Sequence, residues 1–76
     1  MRVADDLIRV EIGFAGGQIL SWLVTGESAD ALDRNLAAGA SGTLTLDAQE
    51  GTITIVLDRV VYAKRYARES RVGFAS

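Results

Sequence analysis

Seventy-six residues without a single cysteine or histidine make one small domain, and they exclude disulfides, structural zinc and thiol or imidazole catalysis together. At this size one core leaves only a few kcal/mol of net stability, so with disulfides and metal closed off, self-association is the remaining support and a homo-oligomer is expected. A chain that is 49% hydrophobic, 24% charged and of net charge −2 has a globular rather than a disordered balance.

In chain order, "LIRVEIGF" at 7 to 14 alternates, with Ile8, Val10, Ile12 and Phe14 on one face and Arg9 and Glu11 on the other. That period predicts a half-buried strand. Ala15, Gly16 and Gly17 supply a turn tolerant of positive φ, and Gln18 to Val24 form a second strand, completing a hairpin. In this second strand Leu20, Trp22 and Val24 share one face while Ile19 and Leu23 share the other. From Glu27 the period becomes helical, with Ser28 as expected N-cap, Asp30 near the positive end of the dipole, Leu32 and Leu36 at i,i+4 and Gly39 as the stop. Asp33 and Arg34 are expected on the solvent side of this helix. Thr43 to Leu46 and Thr52 to Leu57, joined by a polar turn around Gln49, Glu50 and Gly51, alternate threonine with leucine or isoleucine, which is the pattern of a hairpin with one dry face. Asp58 and Arg59 then turn the chain into a last strand, Val60 to Ala67. The expected fold is α+β: a small antiparallel sheet in the order β-β-α-β-β-β with the helix on one face, the alternative closure being a small curled barrel. The other face remains partly apolar around Ile19, Leu23 and Val56.

Charge is unevenly placed. Residues 1 to 58 hold three basic and nine acidic side chains, residues 59 to 76 five basic and one acidic. On a strand, Tyr62, Lys64, Tyr66 and Arg68 project from one face and Val61, Ala63, Arg65 and Ala67 from the other. Three uses of such a tail compete: an edge strand guarded by charge, a surface facing the acidic body of a neighbouring subunit, and a single-stranded nucleic-acid surface in which tyrosines stack on bases and cations meet phosphates. A helix over Tyr62 to Ser70 is a further alternative, since Tyr62 with Tyr66 and Arg65 with Glu69 fall at i,i+4. The valine-rich entry favours the strand, and Arg71 to Phe74 reads as a terminal clip in which Val72 and Phe74 dock on apolar surface.

The chemistry-bearing residues give no catalytic constellation. "GFAGG" at 13 to 17 is glycine-rich, but a strand follows it where a phosphate loop needs a helix. The close carboxylate pairs, Asp5 with Asp6 and Asp30 with Asp33, read as solvated ends, neither a general acid/base pair nor a calcium loop. The serines have no histidine to activate them, and Lys64 has no visible apolar pocket. No metal and no cofactor is expected. Trp22, the lone tryptophan, is either the largest filler of the core or the anchor of an interface.

"VEIG" at 10 to 13, "SADAL" at 28 to 32 with "LAAGA" closing the helix, "LTLDAQEG" at 44 to 51, "RVVYAK" at 59 to 64 and "RVGF" at 71 to 74 together resemble a family of short actinobacterial proteins of unknown function. The resemblance implies a Tyr in the last strand, matched by Tyr62, and an Arg-Val-Gly-Phe ending, matched by Arg71 to Phe74. Family members usually carry an acidic residue just after that Tyr, where this chain has Lys64 and Arg65, and they generally lack the Trp of "LSWLV". It implies no catalytic residue. "VVYAKR" is also similar, by analogy only, to a strand of the Sm-type small barrels, which place their helix first.

These readings converge on a non-catalytic interaction module that works by oligomerisation and protein binding. Its expected partner surface comprises Trp22, Tyr62, Lys64, Arg65, Tyr66 and Arg68, with single-stranded RNA or DNA binding by the same tail as the alternative. No apolar run is long enough for a membrane span and the acidic stretch Met1 to Asp6 is unlike a signal peptide, so a cytoplasmic setting and no membrane partner are expected.

Overall fold

The computed structural model describes residues 7 to 67; Arg68 and the expected clip at 71 to 74 lie outside the described residues. The elements are β1 (Leu7–Phe14), β2 (Ile19–Thr25), α1 (Gly26–Ala37), β3 (Thr43–Ala48), β4 (Gly51–Val56), a 3₁₀ turn at Leu57–Arg59 and β5 (Val60–Arg65). They form a five-stranded antiparallel sheet in the order β4-β3-β2-β1-β5 with one helix. This is the α+β fold expected, and the sheet does not close into a barrel: β4 and β5 remain its two edges.

Local chemistry accounts for most boundaries. The β1–β2 turn is closed by the Phe14 N–H donating to the Gln18 carbonyl at 2.8 Å, with Gly16 and Gly17 both at positive φ. Helix α1 ends in a Schellman arrangement: the Ala40 N–H donates to the Asn35 carbonyl and the Gly39 N–H to the Leu36 carbonyl, with Gly39 in the left-handed region. At the other end the expectation of Ser28 as N-cap is corrected. The cap is Thr25, whose Oγ1 accepts the Ser28 N–H at 3.1 Å. Ser28 is buried instead, and its Oγ accepts hydrogen bonds from the Thr25 hydroxyl and, at 2.8 Å, from the Asp47 N–H of β3. One buried hydroxyl therefore ties the helix start to the second hairpin, a connection that desolvation alone would make costly to leave unsatisfied. The last strand is also shorter than expected, stopping at Arg65, although the Tyr66 N–H still reaches the Arg9 carbonyl.

The sheet is folded rather than flat. β2 and β3 share a single pair, Val24 with Ala48, plus the Gln49 N–H on the Leu23 carbonyl. Continued in a plane, that antiparallel register would carry β3 past the end of β2 and away from Phe14. Yet the Ala15 N–H donates to the Arg59 carbonyl at 2.7 Å, just after β4. The β3–β4 hairpin must therefore turn back over β1 and β2, joined to them at both ends and free between. The core lies between the two leaves: Val10, Ile12 and Val24 from the first, Leu46, Ile55 and Leu57 from the second, closed by Ala29 and Leu32 of the helix. Ile12, Val24 and Leu46 are wholly buried, and each such side chain contributes roughly 1.5–3 kcal/mol by leaving water.

Candidate binding site

Because the leaves are pinned only at their ends, they leave a cleft of about 650 Å³ along one side. Phe14, Leu20 and Trp22 form one wall. The other is formed by residues 53 to 56, four in succession. Successive strand side chains point to opposite faces, so a run of four against the same space means that β4 borders the cleft with its edge, main chain included. Among the described residues nothing pairs with that outer edge. Gln18, Thr54 and Arg59 supply polar groups, and Arg59 makes no ion pair among the described residues. Trp22 is half-buried, packed against the core on one side and lining the cleft on the other. Leu20 is 36% exposed and Val56 47%.

Of the other sequence-predicted site residues, Tyr62, Lys64, Arg65 and Tyr66 do not join Trp22. Alternation sets their faces, and a bulge in β5 shifts only Val60: Gly13 pairs with Tyr62 but Phe14 pairs with Val60, leaving Val61 as the extra residue. Val60, Ala63 and Arg65 then face the helix side, while Tyr62, Lys64 and Tyr66 lie on the open face of the sheet. The Tyr62 ring lies directly over Gly13, where any Cβ would overlap it. Its hydroxyl donates to Glu11 Oε2 at 2.8 Å, and the Tyr66 hydroxyl donates to Glu11 Oε1 at 3.1 Å. Both phenols thus end on one carboxylate. The bond to Glu11, with lesser help from desolvation and the charges of Glu11 and Tyr66, holds the Tyr62 phenol above its ordinary pKa. Lys64 Nζ sits 4.5 Å from the centre of the Tyr66 ring and the Arg9 guanidinium 5.9 Å away.

Arg65 points the opposite way, donating to Asp30 Oδ1 at 2.8 Å and Asp33 Oδ2 at 3.1 Å on α1. These two pairs raise its pKa, Asp30 contributing most. They also correct the reading of Asp30 and Asp33 as carboxylates left to solvent: they latch the helix to an edge strand, with all three side chains still more than a third exposed. Sequence reasoning missed β4 as a site element, and also Glu11 as the hub of the aromatic cluster. Its signal was present in the alternation that puts Glu11 on the polar face of β1, but its partners lie 51 and 55 residues away.

Among the described residues no group of three acidic side chains converges as a metal site would require, and no helix is long and apolar enough to cross a membrane. No family model matches the chain, and no curated protein or solved structure is similar enough to count as a match.

Proposed function

We propose that this chain is a non-catalytic interaction module whose working surface is the Trp22 cleft together with the β4 edge, and that it accepts an extended polypeptide segment there. The observation carrying this reading is the meeting of an apolar wall with a strand edge, unpaired among the described residues, in one opening. An added strand gains main-chain hydrogen bonds from the edge while its alternate side chains enter the apolar space, a recurrent mode of peptide recognition. The open face of β5 supports it less: the phenols end on Glu11, and Lys64 covers one face of Tyr66.

Trp22, as the single tryptophan, reports on the cleft directly. Titration with a soluble peptide of alternating threonine and isoleucine, flanked by lysines, is expected to shift Trp22 emission to the blue, and the same peptide with proline at its centre is expected to do nothing. An unchanged emission with both peptides, in protein diluted until it sediments as a monomer, contradicts the reading.

A further inference from the structure

We infer that the segment taken up by the β4 edge is β4 of a second copy of this chain, the two hairpins joining edge to edge across a two-fold axis at Thr54. The inference rests on the strand-accepting cleft proposed above and names its occupant. β4 reads "GTITIV": six residues with no charge, no proline and no irregularity in its register with β3. An edge rich in β-branched residues that carries no charge, proline or bulge of its own and is uncovered among the described residues is a template for pairing with another strand.

The sequence of that strand also suits its own copy. Directly opposed residues of antiparallel strands share a face, so a two-fold axis must lie midway between one residue and its own copy. Centred on Thr54, it places Thr54 opposite Thr54, Ile53 opposite Ile55 and Thr52 opposite Val56, so that every opposed pair is β-branched and apolar meets apolar on the cleft side. Ile53, half-buried in the isolated chain, and Val56 at the cleft would each gain a neighbour. Leu20 and Trp22 line the same opening and offer apolar surface to the incoming Ile53, since Ile55 is already buried in its own core. The arrangement is isologous, so it closes as a dimer and does not run on into a fibre. The modest net charge of −2 offers little opposition.

Thr54 is exposed, so its replacement leaves the core alone. Sedimentation velocity over a concentration series is expected to show dimer for the unaltered chain, whereas T54K and T54E, with unchanged far-ultraviolet circular dichroism, should each dissociate at least tenfold more readily because like charges meet at the axis. Mixing T54K with T54E should restore a dimer of one of each, which an axis at either end of β4, with the two residues 54 out of reach of each other, would not produce. A monomeric unaltered chain, whether its edge stays bare or is covered by residues 68–76, overturns the inference, as does a T54K protein that dimerises normally. If the chain is monomeric yet the threonine–isoleucine peptide still shifts Trp22, the strand-accepting cleft stands and only the identity of its occupant falls. If neither occurs, both fall.

Discussion

The two edges of the sheet differ in almost every property that governs strand pairing. β5 carries a bulge at Val61, cations at Lys64 and Arg65, and a ring clamped over Gly13. β4 has none of these, and its flank opens on the apolar cleft. Proteins manage exposed edges with such bulges and charges, so the contrast assigns the two strands different tasks: β5 ends the sheet, and β4 is left able to extend it. The start of the basic, aromatic tail, Val60–Arg65, is the protected edge, and the bland threonine–isoleucine strand is the one proposed to bind.

Substitutions on the two edge strands should separate most widely in stability. Ile55→Ala, at a residue only 4% exposed, should cost about 2–5 kcal/mol in denaturant unfolding, while Val61→Ala, at a bulge residue 70% exposed, should change stability by less than about 0.5 kcal/mol. Similar costs at both positions would erase the distinction between a strand whose inner face is core and one whose bulge stands in water. Ser28→Ala comes next. Loss of the acceptor for the Asp47 N–H should destabilise the fold by about 1–3 kcal/mol and loosen the second hairpin, read as faster amide exchange at Asp47.

The latch on β5 is weaker. Arg65→Ala removes two exposed ion pairs with Asp30 and Asp33 and should cost no more than about 1 kcal/mol, a difference that shrinks further in high salt because exposed pairs are screened. A large, salt-independent loss would mean that Arg65 holds the helix by packing. The smallest effect lies in the phenols. Because Tyr62 has a folded-state pKa raised by its bond to Glu11, its contribution to stability is complete below the unfolded tyrosine pKa and disappears as pH rises through the folded one. Ultraviolet titration should show the Tyr62 phenol ionising late, and Glu11→Gln should bring it back towards the ordinary value. On the same open face, a labelled single-stranded RNA should show no salt-sensitive binding, since Glu11 stands between the two rings and would face incoming phosphates.

How far the sequence discloses this molecule depends on the range of the interactions involved. Alternation in β1, β3 and β4 and the helical period after Glu27 are local, and they foretell the order of elements and the α+β class, while the choice between open sheet and curled barrel rests on contacts distant in sequence. Gly39 as helix stop is equally local. The N-cap was not, because Thr25 and Ser28 both suit that role by residue type, and the choice turns on Asp47, nineteen residues beyond Ser28, taking the Ser28 hydroxyl as its acceptor. The face assignment of Tyr62, Lys64 and Tyr66 follows from period two, but the bulge that decouples them from Val60 appears only when β5 is laid against β1. The cleft is the least legible feature. It exists because β2 and β3 share one pair while Ala15 and Arg59 meet at the far end, and no run of residues announces a joint of that kind.

Amide hydrogen exchange measured at low and at high protein concentration tests the contrast between the edges most directly. Protection within residues 51–56 should rise with concentration while protection within residues 60–65 stays constant. Protection that rises along β5 instead, or along neither edge, would contradict it.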